Sequence, residues 1–413
     1  MLAASPRYTT TRARRLNPLI QKVMSTYRIL RRTFSSSVQL TTSTATATDT
    51  ASASASIKSP FTVLYEERNL KRLVQKFKKF SENNRFRTHT DIYEGIVSRL
   101  AAAKRFRWIE EILEDQKKYK DISKEGFNAR LIALYGKSGM LDNAYKTFDE
   151  MPGRNCKRTV LSFNALLAAC VNSRKFDKAN DLFRKLPKEL DIEPDLFSYN
   201  TVIKAFCKMG SLDSGISLLA EMELKGVQPD LITFNTLLNG FYANGQFVDG
   251  ERIWSQMVQK NISPDIWSYN AKLLGFALEK RTKDAVELVE EIKDKGIKLN
   301  VVSCNALIRG FVKEENLEEA KRWYSEIGNS ECKPDKFTFT TLIPFVCEKN
   351  DLGFAFELSK VIISRNCLVD RALLQRVVDG LVKKSKIEEA KELVQLGNDN
   401  GYCRYKLMLS SDY

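Results

Sequence analysis

The chain has 413 residues, of which 43% are hydrophobic and 28% charged, the balance of an ordinary folded soluble protein. No apolar run reaches the ~18 residues of a bilayer-spanning helix, so a membrane partner is not expected, and the length would suit two or three globular domains unless the chain is a repeat array. The net charge of +15 is unevenly placed: residues 1–34 hold seven Arg, one Lys and no acid, a charge of +8, which leaves +7 for the remainder; that excess speaks of targeting more than of a polyanion partner, although +7 still allows phosphate contacts if grouped on one face.

The first 34 residues read as a leader. Arg7, Arg12, Arg14, Arg15, Arg28, Arg31 and Arg32 punctuate apolar and hydroxyl residues, the composition of an organelle transit peptide. Leu16 to Leu30 can form a basic amphipathic helix. No uninterrupted apolar core of roughly 7–15 residues is present, which argues against a secretory signal. The junction Arg32-Thr33-Phe34-Ser35 resembles plant mitochondrial cleavage sites, so the mitochondrial matrix is favoured over the plastid. Residues 35–57 are mostly Ser, Thr and Ala with one charge, Asp49, a low-complexity linker that cannot bury a core. Residues 58–89 are expected to form an N-terminal helical cap or half repeat, with Leu70 and Leu73 on its second helix.

Beyond residue 90 the sequence repeats itself. Pro-Asp pairs stand at Pro194-Asp195, Pro229-Asp230, Pro264-Asp265 and Pro334-Asp335, spaced 35, 35 and 70. An aromatic-Asn pair recurs as Phe163-Asn164, Tyr199-Asn200, Phe234-Asn235 and Tyr269-Asn270, continued by Cys304-Asn305 and Phe339-Thr340. A small residue recurs at Ala144, Ala179, Gly215, Gly250, Ala285, Ala320, Ala355 and Ala390, in steps of 35 with one of 36. Within residues 196–230, Tyr199, Val202, Ile203 and Phe206 follow helical spacing. Gly210 supplies a left-handed helix end. Leu212, Gly215, Leu218, Leu219 and Met222 mark a second helix, which Gly226 and Pro229 stop.

Each helix pair carries an apolar stripe that only its neighbours can cover, so the expected fold is an all-α, helix-turn-helix repeat solenoid. The frame gives nine units: 90–124, 125–159, 160–195, 196–230, 231–265, 266–300, 301–335, 336–370 and 371–405, with 406–413 as a C-terminal tail. The first two and the last are degenerate, as capping repeats are.

The unit resembles the 35-residue pentatricopeptide repeat in a P-class array, close to its consensus over 160–370 and more weakly over 90–405. The resemblance implies a right-handed superhelix of about nine repeats that binds single-stranded RNA. A tetratricopeptide array, with a period of ~34 and a peptide-binding groove, is the nearest rival; the 35-residue step and the Pro-Asp element argue against it. In the resembled family one base per repeat is read by the fifth and last residues of a unit. Carried over, these are Asn164 with Asp195, Asn200 with Asp230, Asn235 with Asp265, Asn270 with Asn300, Asn305 with Asp335, and Thr340 with Asp370. The family's pairing rule then implies a U-rich tract ending in G. The second residues, Leu161, Phe197, Ile232, Trp267, Val302 and Phe337, could sandwich an unstacked base. The first two units, with Glu94 and Lys124 and with Ala129 and Thr159 at these positions, receive no readout.

A second reading stands beside that one. Asp before a helix and Asn in its first turn also satisfy free backbone N–H groups. The third residue of each unit is Ser or Thr (Ser162, Ser198, Thr233, Ser268, Ser303, Thr338) and suffices as a cap, so the other two polar positions are surplus to capping. The apolar second residues serve equally well as packing between repeats.

Little points to catalysis. His89 is the only His, so a nucleophile system would rest on it alone. The eight Cys form no CxxC and read as buried thiols. No P-loop or GxGxxG occurs, and the HxE with CxxC signature of the zinc deaminase domain carried by some similar plant proteins is missing. No cofactor, metal or small-molecule substrate is expected. Three functions follow: a free factor for mitochondrial transcripts; a structural subunit of the mitochondrial ribosome, of small-subunit type, held by ribosomal RNA and proteins; and a tetratricopeptide-like protein scaffold.

Overall fold

Helix starts in this chain are set by a carboxylate or amide ahead of a Ser or Thr. In the computed structural model, Asp230, Asp265, Asn300 and Asp335 each accept from the backbone N–H three residues on, and the hydroxyl there returns to the cap's own N–H, closing a capping box. The Ser and Thr at the third positions, expected as caps, stand instead at the third helical residue, one turn inside helices that begin at the first residue of each unit.

The structure describes residues 59–329, 332–399 and 406–409. The expected leader, 1–34, and linker, 35–57, lie outside the described residues. Those residues form 21 α-helices and two short 3₁₀ turns, with no strand among them. In chain order they are α1 (Pro60–Glu66), α2 (Leu70–Ser81), α3 (Asn84–Arg87), α4 (Thr90–Ala102), α5 (Phe106–Gln116), α6 (Glu125–Lys137), α7 (Leu141–Asp149), α8 (Val160–Asn172), α9 (Phe176–Leu190), α10 (Leu196–Met209) and α11 (Leu212–Leu224). They continue with α12 (Leu231–Ala243), α13 (Phe247–Gln259), α14 (Ile266–Leu278), α15 (Thr282–Asp294), α16 (Val301–Lys313), α17 (Leu317–Asn329), α18 (Lys336–Glu348), α19 (Leu352–Ser364), α20 (Arg371–Lys383) and α21 (Ile387–Asp399).

The helix ends follow a shared scheme. Gly210 and Gly226 take φ near +77°, and at the second of these Val227 N–H reaches back to the Met222 carbonyl at 3.0 Å, the Schellman closure. The same left-handed turn is made without glycine by Arg174, Asn261, Lys280, Glu315, Asn350 and Ser385, at φ of 57–60°. The single 36-residue step also has a local cause. Helix α9 runs for 15 residues, with Pro187 inside it, where most second helices run for 13.

The described residues form two compact units, divided inside α10 between Val202 and Ile203. In the first, α4, α6 and α8 pack in succession; in the second, α12, α14, α16, α18 and α20 do so, each first helix on the next. Each unit is therefore a stack of helix pairs. Second helices fill the other layer: Ala285, Leu288, Val289 and Ile292 of α15 are buried, as are Tyr269, Leu273 and Phe276 of α14. A buried Leu, Ile or Phe contributes about 1.5–3 kcal/mol; no single pair could hide such a stripe alone. The recurrent small residues sit where helices come closest. Ala144, Ala179, Ala285, Ala320, Ala355 and Ala390 are 0–1% exposed, and a Cβ added to Gly250 would lie 2.5 Å from the Tyr242 ring. No helix among the described residues is long and apolar enough to cross a membrane.

Candidate nucleic-acid interface

In four repeats the polar residues singled out at the fifth and last positions meet within the unit, and the third residue of the following repeat joins them. In the second unit, Asn235 Nδ2 donates to Asp265 Oδ1 at 2.9 Å, while Ser268 Oγ donates to Asn235 Oδ1 at 2.5 Å. One repeat on, Asn270 Nδ2 donates to Asn300 Oδ1 at 3.2 Å and receives Ser303 Oγ at 2.6 Å. The next has Asn305 donating to Asp335 at 3.0 Å and receiving Thr338 Oγ1 at 2.7 Å. The first unit holds the same arrangement, with Asn164 donating to Asp195 at 2.9 Å and receiving Ser198 Oγ at 2.6 Å. We call this three-residue arrangement a clasp: the amide comes from one repeat, the cap from its last residue, and the hydroxyl from the helix that follows.

The clasp satisfies the amide in one orientation. Its oxygen faces a hydroxyl donor and its nitrogen a carboxylate or amide oxygen, so the reverse orientation would set like against like. Asn164, Asn200, Asn270 and Asn305 are only 3–4% exposed, and Asn235 is more open. The asparagines thus lie in a polar seam between helix starts, not in the apolar layer. The hydrogen bonds accepted by the side chains of Asp195, Asp265 and Asp335 go to Oδ1. Among the described residues, Oδ2 of these three takes none. Each of the three clasps capped by Asp therefore keeps one amide N–H and one carboxylate oxygen unspent.

The remaining predicted positions divide. Asp230 caps α12 through Thr233 at 2.9 Å. Thr340 donates to the Phe337 carbonyl at 3.2 Å, and Asp370 makes no cap hydrogen bond and has an 84% exposed side chain. The structure does not bring these two together, because position three of the next unit is Leu373, which has no hydroxyl to complete a clasp. Among the second residues, Trp267 and Phe337 are 47% and 45% exposed, whereas Leu161, Phe197, Ile232 and Val302 are half-buried.

Two relevant residues escaped the sequence reading. Glu125 accepts from Thr159 N–H at 2.7 Å and Ser162 N–H at 3.1 Å, so a carboxylate from the preceding repeat serves α8 where no Asp precedes it. In the last unit Gln375, at the fifth position, holds the main chain of Met408 on both sides: it donates to the carbonyl at 2.7 Å and accepts from the N–H at 3.2 Å. The glutamine amide here grips a peptide group through the paired donor and acceptor that could grip a base edge. Glu125 is first in a unit and Gln375 fifth, so the repeat frame held the only signal for either.

Reactive side chains are scarce. Burial pushes the Cys170 thiol up to about 11 and those of Cys207 and Cys304 up to about 12, far from the thiolate that nucleophilic chemistry requires. No group of three or more His, Cys, Asp or Glu suited to a metal ion occurs among the described residues.

Comparison with known proteins gives the following. The PPR repeat family matches residues 194–243, 229–278 and 299–348, and the pentatricopeptide repeat domain matches 126–173 and 146–209. The chain is 57% identical over 170 residues to the small ribosomal subunit protein mS78 of Arabidopsis thaliana, covering 41% of this chain and 43% of that one. It is 56% identical over 169 residues to mS79 of the same plant, with coverage of 41% and 43%. The match thus spans less than half the length of either relative. A maize pentatricopeptide repeat protein of known crystal structure, PPR10, aligns over 81% of this chain and 57% of its own, at 19% identity and a TM-score of 0.43.

Proposed function

This chain is a pentatricopeptide repeat protein, and from that premise we propose that it binds single-stranded RNA in the mitochondrion without chemistry of its own. The observation that carries this reading is the recurring clasp. Capping a helix needs one acceptor; the clasp adds a second polar group, holds it in one orientation and repeats it at four helix starts. Where the cap is Asp, the unspent N–H and carboxylate oxygen form a donor-acceptor pair of the kind that addresses a base edge, and Trp267 and Phe337, 47% and 45% exposed, offer open faces for stacking. For Asn164, Asn200, Asn270 and Asn305, at 3–4% exposure, only an edge of the amide reaches the surface, so readout works through that remaining N–H. Reading by Asn164, Asn200, Asn235, Asn270 and Asn305 with their partners favours U-rich sequence, with Thr340 and Asp370 outside the clasp pattern.

The 57% identity to mS78 favours one setting within this reading: a component of the small subunit of the mitochondrial ribosome in the matrix, docked on ribosomal RNA and neighbouring proteins. Sedimentation of mitochondrial extract tests the setting. Co-migration with the small subunit is expected, and a small RNase-sensitive particle instead would mark a free transcript factor. Filter binding tests the readout: affinity for oligouridylate should fall in the Asn200→Ala/Asn235→Ala double variant while affinity for oligoadenylate is unchanged. Equal losses on both would remove base reading.

A further inference from the structure

Positive charge outside the leader is concentrated ahead of the repeats. Residues 58–89 carry nine Lys or Arg against three Asp or Glu, a net +6, whereas the 324 residues that follow net only +2. Helix α2 alone holds Lys71, Arg72, Lys76, Lys78 and Lys79 and no acid. Its opposite side is spent on the core: Leu73, Val74 and Phe77 are buried, and the Phe77 ring packs edge-on against Phe86 and Tyr93.

Two of these cations are neutralised, Lys76 by Glu67 at 2.6 Å and Lys78 by Glu111 at 2.9 Å. Lys71, Arg72 and Lys79, with Arg85 of α3, are exposed and form no ion pair among the described residues. Lys71 and Arg72 stand in the first turn of α2, which holds no acidic residue. There the helix dipole repels cations, so local stability alone disfavours them. On the helix, Arg72 and Lys79 lie seven residues apart on one face, with Lys71 beside them.

We propose that this basic face of α2 and α3 is a sequence-independent docking surface for the phosphate backbone of RNA. The surface acts beside the clasps and rests on the RNA-binding reading: the clasps choose bases and this face supplies affinity. A phosphate backbone fits better than a lipid surface. A helix lying in a membrane interface must give its apolar side to the lipid, and that side of α2 is covered by the chain's own core.

The test uses the full chain with Lys71→Gln, Arg72→Gln, Lys79→Gln and Arg85→Gln combined. All four side chains are exposed, so thermal unfolding should be unchanged. Probes are oligouridylate and a short RNA duplex of arbitrary sequence, each titrated with salt. Four phosphate contacts predict a slope of log K against log salt shallower by about 3 on oligouridylate and about 3.6 on the duplex, with the preference of oligouridylate over oligoadenylate retained. An unaltered slope on both probes overturns the proposal. So does substitution-sensitive binding to phosphatidylserine vesicles with the RNA slope unmoved. A slope that falls in a protein without base preference upholds this surface and removes the clasp readout, so the two failures are distinct.

Discussion

The clasp gives single residues unequal weight. Ser303 is 0% exposed and its hydroxyl reaches both Asn270 Oδ1, at 2.6 Å, and Asn300 Oδ1, at 3.3 Å. Ser303→Ala leaves the Asn270 oxygen buried without its donor, a loss of about 1–3 kcal/mol, to be read as an earlier urea midpoint with an unchanged slope. Thr340→Ala removes a hydroxyl bonded only within its own helix and should cost a fraction of that. The sequence showed that Asn, Asp and Ser or Thr recur together, yet not which of them caps the helix. Any short polar side chain near a helix start can serve as N-cap, and deciding between them requires the first helical residue to within a position or two. The burial of Cys170, Cys207 and Cys304 was legible because they fall on the apolar stripe of their helices, whereas Cys332, Cys347 and Cys367, also expected to be buried, are half-buried. The partnership of Glu125 with the start of α8 was not, since it joins residues 34 and 37 apart and no local pattern announces it.

At the scale of helices, the small-residue positions differ in how much room they have. A Cβ at Gly250 of α13 would fall 2.5 Å from the Tyr242 ring, and one at Gly215 of α11 would rest 3.4 Å from Leu237. Gly250→Ala is therefore expected to destabilise by about 1–3 kcal/mol through overpacking. Gly215→Ala should be neutral or stabilising by up to about 1 kcal/mol, because alanine is the better helix former. Parallel thermal melts of the two variants check the contrast; equal destabilisation would mean that the small residue is needed for something other than clearance. The helix pairs themselves were readable from the periods of Tyr199, Val202, Ile203 and Phe206 and from Gly210. Turns through Lys280, Glu315 and Ser385 were not, because residues that rarely adopt a left-handed angle hold it here under the pull of the flanking packed helices.

For the chain as a whole, the all-helical repeat architecture was legible because three markers share one phase, and a repeat unit is told by its period more than by any one residue. Division into units at 202 and 203 left no trace in that period. The distribution of charge was visible in part: the leader's excess stood out, while the +6 of residues 58–89 was diluted in the total for the mature chain.

The clasp has an implication for how such a chain can change length. Its three members are supplied by neighbours only, and each recurs once per unit. Removing residues 266–300 joins Asp265 to Val301 and hands Asn235 the hydroxyl of Ser303 in place of Ser268, so the seam is rejoined with the same chemistry. That shortened protein should keep its helicity per residue by circular dichroism, whereas removal of 266–303 also discards Ser303 and turns the following helix by roughly 300°, orphaning Asn235 and loosening the fold. The array is thus editable in whole steps and brittle to fractional ones, which makes gene segments of unit length interchangeable parts.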